Sequence, residues 1–236
     1  MAAEMQPLPE DPREWAPMRV YRGRRAFDIK DPIVEPLWSG TRVLAHVTAR
    51  PDADPPYEVA LIEELGSDLA EQLPQLTAAV GTGVLALDAI VDGVITRQVV
   101  LDGVGAAAIP EVRSRPTEMF VRSNLDFDVE ARGPIVEAAD SADPIDGLMA
   151  VDLLRIDGTS LLEVPLLERK RLLESVISPG QLLRISGHVR PPVDPWLATW
   201  KSMGLRGGML KAANSRYRPN DDTIEWRAVQ RLNKRR

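Results

Sequence analysis

The sequence predicts a mixed α+β fold, mainly antiparallel sheets flanked by helices, and three features carry that expectation. Thr41 to Ala49 alternates, with Val43, Ala45 and Val47 on one face and Leu44, His46 and Thr48 on the other, which is the period of a strand. Successive apolar runs are separated by turn residues, Asp92-Gly93 among them, as hairpins require. A strongly patterned helix opens at Pro165, where Leu166, Leu173 and Ile177 share a face.

Each element has its own reason. Pro7, Pro9, Pro12 and Pro17 among charges make residues 1–17 an extended N-terminal lead. After the strand at Thr41 to Ala49, Pro51 to Pro56 turns the chain into a second strand, Tyr57 to Ile62. Asp68 to Val80 reads as a helix through Leu69, Leu73, Leu76 and Val80, kinked or divided into two short pieces at Pro74 and stopped by Gly81 and Gly83. Val84 to Val91 and Val94 to Leu101 read as a hairpin turned at Asp92-Gly93, and Gly147 to Ile156 as another strand closed by Asp157-Gly158. Ser178-Pro179-Gly180 ends the helix that starts at Pro165, and Gln181 to Val189 is the next strand. Leu197 to Met203 suits a short helix, Gly207 to Ala212 a strand, and a last strand lies near Trp226. Arg113 to Asp146 has no period and is expected to be loop. The expected organisation is a body over 18–230 and a basic C-terminal tail over 231–236.

Composition narrows the function classes. With 44% apolar and 27% charged residues, global disorder is excluded. The absence of cysteine excludes disulfides, thiolate metal sites, iron–sulfur clusters and cysteine nucleophiles, and it fits a reducing cytoplasmic location. No run approaches the ~20 apolar residues that span a bilayer, so no membrane partner is expected. His46 and His188 are the only histidines, too few for a multi-histidine metal site, and both read as ordinary strand residues. Charge is unevenly placed: from Leu197 to Arg236 there are 10 Lys/Arg against 3 Asp/Glu, which leaves 19 against 32 for the rest. A basic segment on an acidic body can attract phosphate, or can be a solvated terminus.

The order of six motifs resembles the adenylation (nucleotidyltransferase) domain of ATP-dependent DNA ligases, from about Asp31 to Gln230. The family pattern E-x-K-x-D-G-x-R falls on Glu35-Pro36-Leu37-Trp38-Ser39-Gly40-Thr41-Arg42. S-R-x-G and the helix after it fall on Glu63-Glu64-Leu65-Gly66 and Leu73-Pro74-Gln75-Leu76. L-D-G-E-L falls on Leu87-Asp88-Ala89-Ile90-Val91, and F-D-L-L-x-x-D-G on Val151 to Gly158, followed by the leucine-rich helix. G-L-E-G-x-x-x-K falls on Gly204 to Lys211, with Ser215, Tyr217 and Pro219 after it, and W-x-K-x-K on Trp226 to Gln230. The resemblance implies the ligase-type nucleotidyltransferase fold, which is ATP-grasp-like. It also implies ATP or AMP with Mg²⁺ as ligands, bound weakly here, and DNA or a DNA-repair protein as partner. Family ligases continue into a small β-barrel, the OB-fold domain, and none is expected after Trp226.

The departures from the pattern fall on the chemistry. Leu37 occupies the position of the nucleophilic lysine and has no lone pair to attack a phosphate, so no catalytic residue is assigned. Lys30 could take that role only through a register shift that breaks the matches at Gly40 and Arg42. Ser39, Ile90 and Arg206 replace carboxylates, and an arginine repels Mg²⁺, so no metal site is assigned. Val151 replaces a stacking aromatic, Glu64 a phosphate-contacting arginine, and Ala228 and Gln230 two lysines of the triphosphate clamp. Glu35, Arg42 and Lys211 remain as a vestigial nucleotide-binding set, with Lys211 against phosphate and Arg42 as an anion fork. The competing reading is an internal Glu35–Arg42 pair with an exposed Lys211. DNA contacts would rest on Arg216, Arg218, Arg231, Lys234, Arg235 and Arg236.

The functional expectation is a catalytically defective ligase-like domain kept as a binding or interaction module, with a role in DNA repair. Two alternatives stand beside it: an ATP-dependent DNA ligase or nucleotidyltransferase with an unconventional nucleophile, and a structural partner-binding domain with no ligand.

Overall fold

The computed structural model describes residues 8–20, 29–98, 145–202, 205 and 207–229. The expected loop from Arg113 lies outside the described residues as far as 144, as does the end of the strand expected to reach Leu101. After a 3-10 turn at Pro12–Glu14 the elements are β1 (Arg19–Val20), β2 (Pro32–Pro36), β3 (Thr41–Ala49), β4 (Tyr57–Glu63), α1 (Pro74–Gly83), β5 (Asp88–Gln98) and β6 (Ile145–Ile156). They continue with β7 (Thr159–Ser160), α2 (Leu166–Val176), β8 (Leu183–Ile185), α3 (Asp194–Ser202), β9 (Gly208–Ala212), β10 (Asp222–Thr223) and β11 (Trp226–Val229).

Six strands form the larger sheet, in the order β4-β3-β5-β6-β7 with β8 parallel on β6, and every other pairing in it is antiparallel. A second antiparallel sheet runs β11-β9-β2, and β1 with β10 makes a small parallel pair. The mixed, mainly antiparallel α+β fold read from the sequence is the fold observed.

The alternation of β3 sorts the core into two. Val43, Ala45 and Val47 join Leu61, Val91, Leu148 and Leu153 on one face of the larger sheet, covered by Leu76 and Val80 of α1 and Leu173 and Val176 of α2. Leu44 turns the other way, into a cluster with Ile90, Leu154, Met18, Tyr217 and Trp226. The N-terminal segment is tied into that cluster, since the Met18 backbone N–H donates to Tyr217 Oη at 2.9 Å.

Three expectations are corrected. Asp92-Gly93 is not a hairpin turn but the middle of one continuous strand, β5. The polar pair signals a turn only where it reaches water. Here Asp92 is fully buried, and a Cβ on Gly93 would lie 2.6 Å from Leu148 Cδ1. The first helix starts at Pro74 rather than Asp68, because proline suits a first helical turn whose N–H groups have no intrahelical partner. Asp68 fixes a turn instead, accepting from Leu61 N and Ala70 N at 2.9 Å each. The strand expected over Gln181 to Val189 shortens to β8, and Val189 bridges to Val34 of β2, a strand the sequence pattern did not reveal.

α2 has no side-chain cap at its start. The neighbouring chain supplies one: Leu166 N donates to Ser215 O and Leu167 N to Ala213 O, both at 3.0 Å, so these orphan N–H groups are satisfied by backbone.

Candidate functional site

Between the smaller sheet and the cleft-side face of the larger one opens a cleft of about 450 Å³, its mouth included. The chain leaves β2 at Pro36 and passes Leu37 and Trp38 along one wall. It enters β3 through Gly40, whose φ of +148° and position 2.0 Å (as a built Cβ) from Ile95 O leave room for no side chain. Arg42 of β3, Val94 of β5 and Val151 of β6 line the opposite wall, and Met209, Lys211 and Trp226 come from β9 and β11.

Glu35 and Lys211 face each other because β2 and β9 pair in antiparallel register, with Ile33 opposite Lys211 and Glu35 opposite Met209. Glu35 is 1% exposed and its two oxygens serve two lysines: Lys170 Nζ lies 2.8 Å from Oε1, and Lys211 Nζ 3.1 Å from Oε2. Burial alone would raise the Glu35 pKa, but the two ammonium groups hold it below the ordinary carboxylate range. Burial pushes the Lys211 pKa down against the pull of Glu35. Lys211 Nζ also sits 4.2 Å from the centre of the Trp226 ring, in cation–π geometry. Lys170 donates onward to Ser186 O at 3.2 Å.

Arg42 is spent differently. Its Nε and Nη2 grip Asp92 at 2.9 and 2.5 Å, and Tyr217 Oη donates to the same carboxylate at 2.6 Å. Burial opposes the Arg42 charge, yet Asp92 raises its pKa above the usual value, while burial and then Asp92 raise that of Tyr217. Deeper in, Arg169 of α2 holds Asp152 of β6 at 2.8 and 2.7 Å, both fully buried. A bidentate pair of this kind satisfies both partners and is strong only while both remain.

Glu35, Arg42 and Lys211, the three residues expected to bind nucleotide, therefore do border one cleft. The competing pairing is overturned: Glu35 binds two lysines rather than Arg42, and Lys211 is 3% exposed. Burying Glu35 calls for nearby cations, and the lysines reach it while Arg42 is held by Asp92. Leu37 stands in the cleft wall at 4% exposure, its N–H donating to Gly207 O at 2.9 Å. Ser39 is buried with a hydroxyl that finds no partner among the described residues, Ile90 packs with Leu44 and Trp226, and Ala228 lies half-buried opposite Met209. Arg206 and Gln230 lie outside the described residues, as do Arg231, Lys234, Arg235 and Arg236. Arg216 and Arg218 are half-buried beside Glu163, Arg216 Nε at 3.9 Å and Arg218 in a direct ion pair. His46 is buried and held neutral, its pKa lowered to about 4 by desolvation, and burial also lowers that of His188.

Lys170, Arg169 and Asp92 were not singled out from the sequence. The first two had a signal: Lys170 and Arg169 stand four and three residues after Leu166 and three and four before Leu173, so they share the apolar face of α2. Among the described residues no cluster of three His, Cys, Asp or Glu could hold a metal ion, and no helix is long and apolar enough to cross a membrane.

No protein-family model and no curated protein matches the sequence. In structure the chain is similar to the ligase domain of LigD from M. tuberculosis, with a TM-score of 0.60 and 22% identity over 93% of this chain and 60% of that one. It is also similar to mycobacterial DNA ligase D complexed with ATP and MES, TM-score 0.59 and 22% identity over 94% and 62% of the two chains. A third similar structure, Pmar-Lig_Pre, has a TM-score of 0.56 and 12% identity over 92% and 46%. The chain spans about three-fifths of the two ligase D structures. These likenesses show the ligase-type nucleotidyltransferase fold.

Proposed function

We propose that this chain is a ligase-like nucleotidyltransferase domain that does not form the covalent nucleotidyl-lysine and works as a binding module, in the cytoplasm and in contact with DNA or a DNA-repair protein. Leu37 carries the reading: a hydrocarbon side chain lines the cleft where the motif calls for an amine that attacks the α-phosphate. Lys211 meets the anionic part of the ligand and Trp226 its ring, while Glu35 and Arg42 border the same cleft and hold its walls in place. Incubation with α-³²P-labelled ATP and Mg²⁺ tests it: no alkali-stable labelled band is expected on a denaturing gel, and a band overturns the reading.

A second reading has an observation of its own. Lys211 is an amine bordering the same cleft with its pKa pushed down, so a labelled band that disappears in Lys211→Met would make this residue the nucleophile. The DNA contact is tested by reversing the charges of Arg231, Lys234, Arg235 and Arg236, which should weaken duplex retention at low salt.

A further inference from the structure

Among the described residues the buried charges around the cleft do not balance. Four cations, Arg42, Arg169, Lys170 and Lys211, meet three carboxylates, Asp92, Asp152 and Glu35. The two arginines take one carboxylate each in bidentate pairs, so the excess falls at Glu35, which two ammonium groups share. Glu64 also favours the Arg42 charge, less strongly than Asp92 does. Lys170 is enclosed and turned to Ser186 O, whereas Lys211 borders the cleft. The excess therefore falls on Lys211, whose ammonium form burial disfavours and one anion seated in the cleft would restore. Leu37, Val94, Val151 and Met209 line the remaining wall and suit a flat apolar body.

A Mg²⁺–triphosphate does not fit this set. The metal needs hard oxygen donors, and each carboxylate here already holds a cation at 3.1 Å or closer. A polyphosphate needs several cations to spare, and the described residues leave an excess of one.

We propose that the cleft takes a ligand joining an aromatic ring to a single negative charge, seated on Lys211, and that it disfavours Mg²⁺-bound triphosphates. The inference rests on the cleft being the ligand site of the binding module. A nucleoside phosphodiester and an aromatic carboxylate share the required chemistry.

Calorimetric titration of the whole chain near neutral pH and low salt tests it with cyclic AMP, indole-3-acetate, adenosine and Mg²⁺–ATP. At least one of the two monoanions should bind ~10-fold or more tighter than neutral adenosine, the effect of one charge-assisted contact, and tighter than Mg²⁺–ATP. Which monoanion wins identifies the source, phosphodiester or carboxylate. Lys211→Met should erase the preference over adenosine, and its melting temperature checks that the variant, in which Lys170 still pairs with Glu35, is folded. If that variant does not fold, the ranking in the unaltered chain still decides. Mg²⁺–ATP binding tightest, or adenosine binding as well as both monoanions, overturns the charge argument while leaving the cleft a ligand site. No binding by any of the four overturns both.

Discussion

The helix-covered face of the larger sheet and the face turned toward the cleft come from the same strands, one residue out of step. Val43, Ala45, Val91 and Leu153 point to α1 and α2 and join the apolar cluster beneath them. Arg42, Asp92 and Asp152 point the other way; the two aspartates are fully buried and Arg42 largely so, and each depends on a charged partner. Burial on the first face contributes through area removed from water and close packing. On the second it costs desolvation that pairing offsets, so removing one partner there should do more harm than removing several methylenes opposite.

Breaking that contrast starts with Asp152→Asn, which strands the fully buried Arg169 guanidinium and should cost ~3–5 kcal/mol in denaturant unfolding. On the apolar face Leu173→Ala should cost about 3 kcal/mol by leaving a cavity beside Val176 and Leu76. If the aspartate substitution is the milder of the two, the two faces do not differ as described.

pH separates the faces next. His46, on the cleft-side parity of β3, has a folded pKa of about 4, below its unfolded value of about 6.5. Between those values the unfolded chain binds more protons, so stability should fall as pH drops through the window, by up to ~3 kcal/mol. His46→Leu should flatten the profile there; a slope unchanged by it would place the sensitivity elsewhere. Glu35, held below the ordinary carboxylate range, is stabilising above its unfolded pKa, and that contribution is lost only as pH falls through its lower folded value. The smallest effect belongs to the surface: Arg218→Ala removes an ion pair to a 72%-exposed Glu163 and should change unfolding free energy by less than about 1 kcal/mol.

What the sequence disclosed follows from how far each signal reaches. The alternation of β3 and the leucines of α2 are local periods enforced by one neighbouring layer, and both appear where the pattern puts them. Asp92-Gly93 misled because the identity of two residues does not say whether they meet water or Arg42, fifty positions away. At the cleft, Glu35, Arg42 and Lys211 were legible through motif order. Their partners were not, since the Lys170–Glu35 contact spans 135 positions and leaves no local trace beyond a charge on an apolar helix face.

The backbone cap at the start of α2 carries one more consequence. Leu166 and Leu167 lend their amides to Ser215 and Ala213, and Arg169 adds a bond from its own guanidinium to Ser215 O at 3.0 Å. The helix therefore cannot fray from its N-terminal end by itself, because the strand-following segment must let go in the same event. Deuterium should enter those two amides together, at the slow rate of a cooperative sub-global opening rather than of a helix tip.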